Sequence, residues 1–159
     1  RQGTKKKNWK NRVRSVSEMR IWIDTNIFLD VIQRREPFFE ASVAVLAACR
    51  EGLVQGSISA QSVADMFYIL RKDFSVEERR RILRDICQLM NVEAVTKEIL
   101  VRALANHDFD DFEDCLQSEC AIIFGADYIV TRNIRHFSGS PIPAITPNDF
   151  CKNLSMEQS

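Results

Sequence analysis

Short continuous apolar runs alternate along this chain with longer stretches in which apolar residues recur every three or four positions. The run 20–23, "RIWI", predicts a first strand, and 26–34 a short helix that ends in "RREP" because the residue before proline resists helix. A second helix is predicted over 38–51, stopped at Gly52, then a strand at 54–58. Helices follow at 60–72 and 76–90, the latter opening on the capping-box pattern "SVEE". Then come a strand at 92–95, a helix at 97–106, a helix from 111 with "DFEDCLQSECAIIFG", and a strand at 127–131. A short strand at 144–146 and a last helix at 147–153 close the pattern. Strands that read as unbroken apolar runs are those buried on both faces, and their alternation with helices predicts βαβ units. The fold class is therefore α/β: a single α/β/α sandwich with a mostly parallel central sheet.

Length and composition suit one domain with a real core: 159 residues, 45% of them hydrophobic. The formal net charge is zero but unevenly spread. Residues 1–20 hold eight Lys or Arg against Glu18, and the remainder holds 14 basic against 21 acidic residues. Residues 1–18 are expected to be a basic tail appended upstream of a natural start at Met19; the alternative is an arm that meets nucleic acid electrostatically. The domain is expected over 19–154, followed by a short tail at 155–159. The five cysteines form no Cys-x-x-Cys pair, and they are expected as reduced thiols of a cytoplasmic protein. No apolar run approaches the roughly 18 residues of a membrane span. No Gly-x-Gly-x-x-Gly loop is present, which argues against a dinucleotide fold.

The candidate chemistry lies where open α/β sheets bind ligands, beyond the carboxyl ends of the strands. The first strand ends at Asp24, with Thr25 and Asn26 beside it; Asp65 falls early in the helix after the second strand. Asp111 and Asp114 open a later helix at i and i+3, and the fourth strand ends at Thr131, Arg132 and Asn133. Each has a bland alternative. Asp111 is also a good helix N-cap, Asp65 an ordinary solvated helix acid, and Thr25 and Asn26 caps for the next helix. Asp24 resists such a reading, since a buried carboxylate costs several kcal/mol unless paired or bound to a cation. Glu113 and Asp110 are expected to face solvent. Acids converging without adjacent Lys or Arg suit Mg²⁺ or Mn²⁺, and such ions activate water against a phosphodiester.

The segments "IDTNIFLD", "SISAQSVADMFYIL", "DFEDCLQSECAIIFGADYIVTRN" and "HF…PIPAITPNDF" together resemble the PIN domain family, its bacterial VapC-toxin-like branch above all, over about residues 19–154. The resemblance implies a metal-dependent endoribonuclease that cleaves RNA by metal-activated water. It also implies a homodimer silenced by a cognate antitoxin, as the toxin of a type II pair. It implies that Asp24, Asp65 and Asp114 are catalytic and hold the metal, with Asp111 as a fourth ligand. Thr25, Asn26, Thr131 and Asn133 are then supporting residues. Asp65 stands where the family usually has Glu, and Asn133 where many members carry Asp. His136 lies where an acid is often seen, and a plain surface residue is the preferred reading. Arg34, Arg35, Arg132 and Arg135 are candidate contacts to the RNA backbone, or else ordinary solvated surface. The rival from another class is a catalytically silent PIN fold that binds RNA or a protein. A haloacid-dehalogenase-type phosphatase is disfavoured, because it wants an acid at Asn26; a receiver domain is disfavoured, because Thr96 follows "VEAV". A dimer stripe over "FFEASVAVLAAC" competes with its use in core packing.

Overall fold

The structure, a computed structural model, describes residues 18–159; the basic segment over 1–17 lies outside the described residues. The strands are β1 (Arg20–Ile23), β2 (Gln55–Ser59), β3 (Asn91–Glu93), β4 (Tyr128–Val130) and β5 (Ala144–Ile145). The helices are α1 (Thr25–Ile32), α2 (Phe39–Arg50), α3 (Ala60–Ile69), α4 (Val76–Leu89), α5 (Lys97–Ala105), α6 (Phe112–Phe124) and α7 (Pro147–Glu157). All strand pairs are parallel, in the order β3-β2-β1-β4-β5. The expected order of elements is present, with ends shifted by a few residues. The helix expected over 60–72 finishes as a 3-10 turn, Leu70–Lys72, which seats Leu70 in the core. A further 3-10 turn, Ile134–Phe137, was not expected, and α7 runs past 153 because Leu154 packs into the core.

β1 explains the two-sided core. Ile21 and Ile23 point into one cluster with Phe28, Val45, Met66, Ile86 and Phe150, which draws in α1, α2, α3, α4 and α7. Trp22, between them, points into a second cluster with Ile99, Cys115, Cys120 and Ile129, which draws in α5 and α6. The period-2 alternation of a strand is thus filled by apolar residues on both faces. α2 spends its inner side on the core, through Ser42, Val45 and Ala48. Gly56 in β2 permits close packing: a Cβ there would lie 2.7 Å from both Cys49 Sγ and Met90 Sδ. The predicted capping box opens α4, with Ser75 N–H donating to Glu78 Oε2 at 2.8 Å and Glu78 N–H to Ser75 Oγ at 3.2 Å. Gly125, at φ 74°, closes α6 in the left-handed conformation a side chain would resist.

The sheet order sets the site. From β1 the chain moves outward to β2 and β3, then returns to β4 on the other side of β1. The carboxyl ends of β1 and β4 therefore flank the topological switch point, where open α/β sheets form a crevice. The residues that follow these two strands are Asp24 and Thr131.

Candidate active site

Asp24 is only 4% exposed, yet it makes no ion pair with Lys or Arg among the described residues. Its carboxylate is held by two neutral donors. Thr131 Oγ1 donates to Oδ2 at 2.8 Å, and Gln117 Nε2 donates to Oδ1 at 3.1 Å. Hydrogen bonds to a charged group contribute about 1.5–3 kcal/mol each, which offsets part of the burial cost. Asp24 N–H also donates to Val130 O at 3.0 Å, which locks the ends of β1 and β4 together. Thr131 thus makes the side-chain bond to Asp24 that an orienting role would need. Thr25 does not: its hydroxyl donates to Ser62 Oγ at 2.8 Å and ties α1 to α3. Asn26 is half-buried, and no side-chain bond from it caps α1. Gln117, which sequence reasoning missed, fills the place assigned to Thr25 and Asn26.

The other acids gather around this anchor. Asp114, in the first turn of α6, is half-buried, and its carboxyl is pushed up to about 6. Burial is the main cause, followed by the charges of Asp111 and Asp24, against which His136 pulls down. His136 is exposed, but it is more than surface: its Nδ1 lies 3.3 Å from Asp114 Oδ2. Asp111 is the N-cap of α6, with Oδ1 accepting from Glu113 N at 2.8 Å and Asp114 N at 3.1 Å, so its bland reading is realised. Glu113 is exposed, as expected. Its carboxyl is nonetheless raised by partial burial and then by the charges of Asp65, Asp111 and Asp24, which stand near enough to act on it. Asp65 is half-buried on α3 and accepts from Gln61 Nε2 at 2.9 Å. Asn133 is exposed; its backbone N–H donates to Thr131 Oγ1 at 3.1 Å.

The basic candidates divide. Arg132, a candidate contact to the RNA backbone or else ordinary surface, is paired with Asp30: Nε lies 2.7 Å from Oδ2 and Nη2 3.1 Å from Oδ1, with the guanidinium 4.0 Å from the Phe38 ring centre. Arg35 adds a second cation 3.8 Å from Asp30. Arg34 and Arg135 remain exposed, Arg34 with its guanidinium 5.5 Å from the Phe39 ring centre.

Among the described residues, no group of three or more His, Cys, Asp or Glu is drawn together closely enough to hold a metal ion as it stands. The donor chemistry nonetheless fits a hard divalent cation. Asp24, Asp65, Glu113 and Asp114 offer only carboxylate oxygens, and their mutual charge is felt at Glu113 and Asp114. No helix among the described residues is long and apolar enough to cross a membrane.

A parallel sheet with an acid anchored at its switch point defines an α/β domain whose candidate site lies beyond the carboxyl ends of its strands, and the comparisons give the family. The PIN domain model matches residues 20–135, so the chain belongs to the PIN domain family. A solved toxin–antitoxin complex from Klebsiella pneumoniae is similar at TM-score 0.61 and 21% identity, over 80% of this chain and 97% of that one. VapBC-1 from nontypeable Haemophilus influenzae is similar at TM-score 0.62 and 16% identity, over 82% and 99%. PAE2754 from Pyrobaculum aerophilum is similar at TM-score 0.59 and 13% identity, over 90% and 99%. At these identities the likeness is one of fold. No curated protein matches the sequence.

Proposed function

We propose that this chain is a metal-dependent endoribonuclease, the toxin of a type II toxin–antitoxin pair of the VapC kind. The observation that carries the reading is Asp24: a buried carboxylate at the switch point, fixed by neutral donors, with further acids beside it. A buried carboxylate in a crevice that no protein cation faces is a functional-site candidate on physical grounds. Asp24, Asp65 and Asp114 would hold Mg²⁺ or Mn²⁺, with Glu113 joining them and Asp111 chiefly holding the start of α6. When bound, the ion supplies Lewis-acid stabilisation of a phosphate and lowers the pKa of water. The chain's own residues supply rigidity. Thr131 and Gln117 hold the Asp24 oxygens, and His136 Nδ1 steadies Asp114 Oδ2. Arg34 and Arg135, both exposed, are the cations left for the RNA backbone. Hydrolysis in this manner leaves 5′-phosphate and 3′-hydroxyl ends.

Structural neighbours that are toxin–antitoxin complexes support a cognate antitoxin as partner. The exposed apolar side chains Val101, Leu104 and Ile123 on the adjoining helices α5 and α6 support a homodimer. A second reading, a silent PIN fold that binds RNA or protein, is favoured by one feature: Asp65 is engaged by Gln61 and no ligand shell is pre-closed. Cleavage of total cellular RNA with Mn²⁺ separates the two. Wild type, wild type with EDTA, and Asp114→Asn are compared, and the new ends are mapped. Discrete 5′-phosphate ends, absent with EDTA and in the variant, are the expected result. Folded wild type that cleaves no more than Asp114→Asn would leave the binding module standing.

A further inference from the structure

Gln117 lies on α6, is 4% exposed, and joins two buried groups from β1 and its end. Its Oε1 accepts from Trp22 Nε1–H at 3.1 Å, and its Nε2 donates to Asp24 Oδ1 at 3.1 Å. The sense of the amide is not free. An indole nitrogen only donates, so the amide oxygen must face Trp22, which leaves the NH₂ facing Asp24. Trp22 is fully buried in the cluster behind the sheet, so its N–H has this amide as its partner. We infer that Gln117 is the positioning residue of Asp24, with the Trp22 indole holding the amide in the one orientation that presents a donor to the carboxylate. The relay runs from the core of the second cluster to the anchor acid, through side chains 95 and 93 positions apart in sequence. Thr131 reaches the other oxygen from β4, so the carboxylate is gripped from two elements and cannot turn. This inference rests on the reading of Asp24 as a cation ligand.

The test uses Mg²⁺ as probe and compares wild type, Gln117→Met and Trp22→Phe. Met keeps the side-chain volume and removes both hydrogen bonds; Phe keeps most of the packing and removes only the indole donor. Partners that orient a metal-binding carboxylate typically cost about 10–100-fold in metal affinity or activity when lost. Gln117→Met is expected to weaken Mg²⁺ binding within that range and to lower kcat on RNA with little change in KM. Trp22→Phe is expected at the low end, about tenfold. In wild type the Trp22 indole N–H resonance, assigned by its loss in Trp22→Phe, is expected to shift on Mg²⁺ addition; in Gln117→Met it is expected to stay still. Folded Gln117→Met with wild-type Mg²⁺ affinity overturns the inference, as does wild type that binds no Mg²⁺. If Gln117→Met does not fold, the Mg²⁺ affinity of Trp22→Phe decides in the same way. Wild type that binds Mg²⁺ without cleaving RNA sinks the nuclease reading alone, and the positioning role is then judged on the affinities.

Discussion

Asp24 immediately precedes α1 and Asp30 lies within it, and both are almost wholly buried. Their surroundings are opposite. Asp30 faces two guanidiniums, Arg132 in close contact and Arg35 at 3.8 Å. Burial pushes its carboxyl up from the usual value, and these arginines hold it down. Asp24 has only the hydroxyl of Thr131 and the amide of Gln117. The contrast is sharpest at the end of β4, where adjacent residues serve the two acids: Thr131 turns to Asp24, Arg132 to Asp30. One carboxylate is neutralised and joins the loop after β4 to α1. The other is held in place by neutral donors alone, the feature on which the proposed cation site rests. Buried acids of the same type thus differ by what faces them, and the proposed function assigns the chemistry to the one without a cation.

The largest expected effect breaks this comparison at its functional side. Asp24→Asn is expected to lower RNA cleavage by roughly 10²–10⁴-fold, the range for a single catalytic group. Its melting temperature should change little, because a shape-matched amide replaces a charge that no protein cation compensates. Asp30→Ala is expected to do the reverse. It leaves Arg132 and Arg35 unpaired beside the core, a loss of about 3–5 kcal/mol in urea unfolding. The paired change Asp30→Leu with Arg132→Met should recover most of that stability, since replacing both members of a buried pair is often neutral. A folded Asp24→Asn that cleaves like wild type, or an Asp30→Ala as stable as wild type, would erase the distinction.

The sequence displays one half of the contrast and conceals the other. The central strands β1 and β4 were legible because buried parallel strands read as near-continuous apolar runs, and "RIWI" ending on an acid is conspicuous. Asp30 was not, since it reads as an ordinary helix acid until a cation 102 positions away folds onto it. Gln117 was hidden for the same reason: a glutamine in an apolar helix carries no signal of which buried donor and acceptor it joins. Its one clue was its place at i+3 from Asp114, on the face already assigned to the site. Arg132 misled because a basic residue beside a candidate site suggests substrate, and nothing local reveals that Asp30 has claimed it. Glu113 was read correctly as exposed, but not its coupling: the first turn of α6 brings Asp111, Glu113 and Asp114 into one field.

Asp114 sharpens the comparison through pH. Its carboxyl is raised from 3.8 to about 6, so between these values the folded state binds more protons than the unfolded one. The stability this group contributes is therefore full below about pH 4 and lost as pH rises through 6. The loss amounts to no more than about 3 kcal/mol. Metal-free Asp114→Asn is accordingly expected to melt above wild type at pH 7.5 and to lose that advantage at pH 4.5, while failing to cleave RNA. Added Mg²⁺ should stabilise wild type more at pH 7.5 than at pH 4.5, and the variant little at either. A metal-free variant less stable than wild type at pH 7.5 would mean that the His136 contact outweighs the crowding.

Glu113 carries the smallest expected effect and tests how far the charged field extends. It is exposed, and what sets it among the site residues is that Asp65, Asp111 and Asp24 all act on its carboxyl. A residue in that position supplements the charge that draws in a divalent cation without being rigidly held. Glu113→Gln should therefore weaken Mg²⁺ binding by less than the roughly tenfold lower bound for losing an orienting partner. Raising the Mg²⁺ concentration should restore its kcat fully, because Asp24, Asp65 and Asp114 are untouched. Asp24→Asn should not be restored in this way, because the anchored oxygens themselves are changed. A Glu113→Gln variant that stays inactive at saturating Mg²⁺ would promote Glu113 to the rank of Asp24. The single aimed carboxylate would then have to be redrawn as an aimed pair.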